Sequence, residues 1–164
     1  MWLESGAWGS IKTLINKVSA NTSALLLKLN KTNDTIQALR ETVNIVAGAA
    51  NNTSNIDTDT GLFWYFTIAT TANWTINIRA SASVSLNTRM AIGESSTLSI
   101  ITTQGTTPYM PTAWTIDGNA ITPKWIGGTA PITGNASGLD VYNISIIKTG
   151  ENTFTMINAL IQVK

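Results

Sequence analysis

Chemistry in this chain has to be carboxylate chemistry, because histidine and cysteine are both absent from its 164 residues. Their absence removes the commonest general base, the Cys–His nucleophile pair and the usual zinc ligands together. It also removes disulfides, which fits assembly inside a cell. The acidic groups from residue 51 onward are Asp57, Asp59, Glu94, Asp117, Asp140 and Glu151. A glycosidase needs two carboxylates facing each other across a cleft, and nothing in this spacing selects such a pair. Asp57-Thr58-Asp59-Thr60-Gly61 echoes part of a calcium loop. The remaining ligands and the closing Glu are missing, so the stretch reads as a turn and no metal or cofactor is expected.

The second chemistry available is stacking. Trp64, Trp74, Trp114 and Trp125 could lay ring faces on sugars, or fill a core where large rings contribute most. Trp74 alternates with Ile76 and belongs to a core face. Trp125 precedes Gly127-Gly128 and is the candidate for an exposed receptor contact. The expected function is therefore non-enzymatic, and the question becomes which elements would hold such a surface out.

The first is a heptad seam. With Ile15 at a, the a positions are Trp8, Ile15, Thr22, Leu29, Ile36, Val43 and Ala50, and the d positions are Ile11, Val18, Leu25, Thr32, Leu39 and Val46. A 3.5-residue apolar repeat sustained over six heptads predicts a coiled-coil helix over 10–50. A helix this long cannot bury its stripe against itself, so its stability must come from a neighbour. Ile and Leu mix at both a and d, and Leu14 at g with Leu26 at e widens the apolar face. These features favour three strands, with a dimer or a mixed-chain bundle as alternatives. The seam residues are thus the expected homotrimer interface. Residues 1–9 carry Trp2, Leu3 and Trp8 and read as an anchor for a partner at the base of the rod. No basic region followed by an apolar core marks a signal peptide there.

Residues 51–61 read as a linker, and from Leu62 the period changes to two. Trp74–Arg79, Ser96–Thr103, Leu139–Ile147 and Thr153–Val163 alternate as strands, and Ser83–Asn87 reads as a weak one. Trp114-Thr115-Ile116-Asp117-Gly118-Asn119-Ala120-Ile121 predicts a hairpin, because Asp-Gly favours the positive φ of a tight turn. Eight or nine short strands over 62–164 predict an antiparallel β-sandwich head, a jelly roll being one form. No repeat other than the heptad is evident.

Net charge is +1, and charged residues make up only 12% of the chain, which gives no case for nucleic acid or an anionic membrane. Apolar runs are too short for a membrane span. The low charge and abundance of Thr, Asn, Ser and Gly suit rigid particle-surface structure better than a cytosolic enzyme.

Several clusters follow one another in the last third. They are Tyr109-Met110-Pro111-Thr112-Ala113-Trp114-Thr115-Ile116-Asp117-Gly118, Thr122-Pro123-Lys124-Trp125, Gly127-Gly128-Thr129-Ala130-Pro131, Gly134-Asn135, Leu139-Asp140-Val141-Tyr142 and Ile147-Lys148-Thr149-Gly150. In this order, over about residues 92 to 163, they resemble a C-terminal module of tailed-bacteriophage virion proteins, found in tail fibres and baseplate appendages. The resemblance implies an all-β virion domain, commonly trimeric, and brings no site residues with it. Seam and resemblance together lead to one expectation: a homotrimeric short fibre or tail appendage of the virion. It would dock on other virion proteins through its N-terminal segment and present a β head to a host surface glycan or protein. A capsid-decorating (cement) protein at three-fold positions of the head is the alternative.

Overall fold

The computed structural model describes residues 10, 11, 13–19 and 40–164. The chain divides into two units, Met1–Leu39 and Arg40–Lys164. In the first, residues 10, 11 and 13–19 are helical. No described helix is long and apolar enough to cross a membrane.

The second unit is mainly β and consists of two facing sheets. Through its first six strands the chain passes between them at every step, five crossings in succession. Strands β1 (Val43–Val46), β3 (Phe63–Phe66) and β5 (Ser95–Thr103) lie in the first sheet. Strands β2 (Thr53–Asp57), β4 (Trp74–Arg79) and β6 (Pro111–Ile116) lie in the second. Within each set neighbours run parallel. The result is three stacked rungs, β1–β2, β3–β4 and β5–β6, each giving one strand to each sheet.

Beyond the third rung the pairing turns antiparallel, except at the edge strand Lys124–Trp125, which runs parallel to Thr153–Val163. Strand β9 (Leu139–Gly150) pairs with β5 and with β10 (Thr153–Val163). The short β8 (Lys124–Trp125) closes that sheet's edge beside β10, and β7 (Asn119–Ala120) folds back on β6. The strand orders are β1-β3-β5-β9-β10-β8 and β2-β4-β6-β7.

Alternation explains the core. In the parallel register Ile56, Ile78 and Ile116 fall side by side, and all three are buried. Leu98 and Ile100 on β5 face Ile144 and Tyr142 on β9 and are buried with them. Each such side chain contributes about 1.5–3 kcal/mol by leaving water. On the outer face of the second sheet the same register builds polar ladders. Asn77 donates to Asn55 (2.8 Å) and accepts from the Thr115 hydroxyl (2.7 Å), and Arg79 pairs with Asp57 at 2.6 Å.

Several expectations hold: the Trp74–Arg79 strand, the Ser96–Thr103 strand (observed as Ser95–Thr103), the long final pair, and the Asp117–Gly118 turn, with φ of 52° and 79°. Others need correction. The sandwich is not all antiparallel, and hence not a jelly roll, because five of its strand pairings are parallel. The helix does not extend to residue 50. Val43 and Val46 lie in β1, and Ala50 is fully buried in the β unit's core. The stretch 51–61 is not a linker, since it contains β2 and the buried Ile56. Ser83–Asn87 forms no strand. The Ser85 hydroxyl accepts from Thr88 N–H (3.0 Å) and caps a single helical turn, Leu86–Arg89. The predicted positions Trp2, Leu3, Trp8, Thr22, Leu25, Leu29, Thr32, Ile36 and Leu39 lie outside the described residues.

Candidate functional site

Every carboxylate raised as a candidate acid or base already has a structural partner. Asp57 pairs with Arg79, and Asp59 with Arg89 at 2.5 Å. Glu94 accepts from Ala91 N–H at 2.9 Å, and Glu151 from the Asn87 amide at 2.6 Å. Hydrogen bonding from Asn87, with the Lys148 ammonium nearby, holds the Glu151 carboxyl below its usual range. Asp117 ends the β6 hairpin and accepts from Leu86 N–H (2.7 Å) and Asn87 N–H (3.0 Å). It thereby ties the hairpin to the first turn of the short helix.

Asp140 is fully buried. Its carboxylate accepts from Asn135 N–H at 3.1 Å and from the Gln104 amide at 2.9 Å. Gln104 in turn accepts from Thr70 and from Tyr109 N–H. Burial pushes the Asp140 carboxyl above the usual range, and these donors offset part of that rise. The network fastens the 104–110 and 133–138 loops to β9. Among the described residues no group of His, Cys, Asp and Glu could hold a metal ion.

Trp125 lies on the edge strand β8, half-buried, with Ile126 N–H bonded to Asn158 C=O (2.9 Å). Its indole meets Trp114 edge to face. The contacts continue inward from Trp114 to Tyr142, from Tyr142 to Trp74 and from Trp74 to Phe66. These five rings come alternately from the two sheets and pin them together, with Trp125 as the outermost. Trp64, Trp74 and Trp114 all pack in or against the core, so the core reading holds for them. After Trp125 the chain turns at Gly127 and Gly128, whose φ of 86° and 79° any side chain would strain.

Two troughs flank this loop. One, of about 470 Å³, is lined by Met110, Pro111, Trp114, Pro123 and Trp125. The other, of about 410 Å³, is lined by Trp125, Thr129, Leu160 and Gln162. Pro131 and Ile132 line both, and Ile132 is 92% exposed. No charged side chain lines either trough, so they offer apolar faces and hydroxyl or amide groups but nothing that transfers a proton.

The second exposed apolar surface is the described part of the seam. Ile11, Leu14 and Ile15 are 41%, 65% and 59% exposed on helical residues, and Val18 is 58% exposed. Comparison with protein-family models, with curated proteins and with solved structures gives no match.

Proposed function

We propose that the chain is a homotrimeric structural protein of a tailed-phage virion, a short fibre or tail appendage that projects its β unit for host attachment or particle assembly. The observation that carries this reading is the exposed stripe Ile11, Leu14 and Ile15, at d, g and a of the heptad. Large aliphatic side chains repeating along one helical face are stable in water only when neighbouring helices cover them. The phage resemblance of residues 92–163 supplies the kind of particle.

In this reading the N-terminal segment with Trp2 and Leu3 docks on other virion proteins, the seam joins three copies, and the trough at Trp125 meets a host surface glycan or protein. Three weak contacts then combine through avidity. The reading assigns no catalytic step, and the structural use of Asp57, Asp59, Glu94, Asp117, Asp140 and Glu151 supports that. It involves no cofactor, nucleic acid or membrane insertion.

Labelling virions with an antibody against residues 62–164 tests the placement. Label on the tail is expected. Label on the capsid shell at three-fold positions would favour the decoration role, and virions without label would reject both.

A further inference from the structure

The outer face of the six-stranded sheet has a composition unlike that of the other sheet. Strand register sets Ile45, Tyr65, Ile101, Val141 and Ile161 side by side in one row across β1, β3, β5, β9 and β10. Ile45 and Ile161 are 70% and 50% exposed, and the three between them are half-buried. None of the five belongs to the core or packs against it. Val43 and Val163, also exposed, stand beyond the row on either side. The outward positions of these five strands include no Asp, Glu, Lys or Arg; their polar members are uncharged and bonded to one another, Thr97 with Ser145 and Ser99 with Asn143, whereas the other sheet's outer face carries the Asp57–Arg79 ion pair.

We infer that this face is where the β units of separate copies of the chain pack together around a common axis. The inference rests on the oligomer proposed above and adds a second interface to it. Three observations favour another copy over an unrelated partner. Strands β5, β9 and β10, of 9, 12 and 11 residues, with the four-residue β1 and β3 beside them, make a face on the order of 600 Å² at about 3.3 Å per residue and about 4.8 Å between strands. Two such faces exceed the roughly 1,000 Å² total of a specific interface. The face has no charge with which to select a hetero-partner, and charge depletion marks interface cores. Finally, Leu39, a seam position, lies only four residues before Val43 on the sheet's first strand. A coil that joins the chains at Leu39 raises the effective concentration of the β units for one another, so even a weak apolar face would engage.

The cysteine-free chain allows a direct test on the full-length protein. Val141→Cys and Ile161→Cys are compared with Asn119→Cys on the opposite sheet, after thermal melts establish that each variant folds. The readouts are sedimentation equilibrium, the rate of labelling by a monofunctional maleimide, and cross-linking by a short bismaleimide. A shared face predicts an oligomer in which Val141→Cys and Ile161→Cys label at least about tenfold more slowly than Asn119→Cys, as protected sites do. It also predicts that the bismaleimide links copies at positions 141 and 161. An oligomer in which all three positions label alike and 141 and 161 do not cross-link would overturn this inference and leave the seam intact. A monomer would overturn both.

Discussion

The indole of Trp125 stands edge-on to that of Trp114, with ring centres 5.8 Å apart and planes at 79°. This contact joins the edge of one sheet to the third rung of the other, and Trp125 itself lines both troughs. Trp125 is therefore both a brace and the most accessible of the five linked rings.

Trp125→Ala is expected to cost about 2–3 kcal/mol, below the range for a fully buried tryptophan, because the side chain is half-exposed. Trp125→Phe keeps most of the contact and is expected to lose less than half as much. Urea denaturation measures both. On a host-glycan array the wild type is expected to bind and Trp125→Ala to lose binding. Equal binding by the two would remove Trp125 from the receptor contact.

A Cβ added at Gly134 would lie 2.6 Å from Asp140 Oδ2 and 2.9 Å from the Tyr109 carbonyl oxygen. Neither neighbour can swing away, since one is a buried carboxylate and the other is backbone. Gly134→Ala is expected to destabilise the β unit by about 2 kcal/mol or more, a typical cost of overpacking. An unchanged denaturation midpoint would contradict the packing described around Asp140.

Asp117→Ala removes both acceptors from the Leu86 and Asn87 N–H groups and leaves a non-glycine residue at φ 52°. The expected loss is about 1–2 kcal/mol. Asp117→Asn keeps an acceptor and tolerates the left-handed conformation, so it is expected to cost less. A reversed order of the two variants in thermal melts would count against the capping role.

The raised Asp140 carboxyl has a defined consequence for stability against pH. The native state holds this proton to a higher pH than the unfolded chain does. Stability from this group is therefore greatest below the unfolded value of about 3.9, falls as pH rises through the raised native value, and is level above it. The stability of wild type minus that of Asp140→Asn is expected to decrease across this window, as measured by urea midpoints from about pH 3.5 to 7. A difference that stays constant or grows with pH would contradict it.

Much of the β unit is legible from alternation alone. Trp74, Ile76 and Ile78, then Leu98 and Ile100, then the long final pair all show their inward faces in sequence, and Asp117-Gly118 marks its own turn. Strand direction is different, because a half-buried strand alternates in the same way whether its neighbour runs with it or against it. The three rungs differ in length: β1 and β3 begin twenty residues apart, β3 and β5 thirty-two. No fixed period therefore marks the parallel stack. Val43 and Val46 continue the heptad by spacing, yet in β1 they point to opposite sides, Val46 toward the core and Val43 outward. The row from Ile45 to Ile161 depends on four register relationships between distant segments and has no local signature. The glycine pair after Trp125 marks it in the sequence, but its support from Trp114 depends on the facing of the two sheets.

Sedimentation equilibrium of the full-length chain at micromolar concentration, beside Ile15→Asp, addresses self-association through the seam most directly. The wild type is expected to show the mass of three chains, and Ile15→Asp, which places a charge at an a position, a shift toward the mass of one. A wild-type chain that sediments as a monomer would contradict the account.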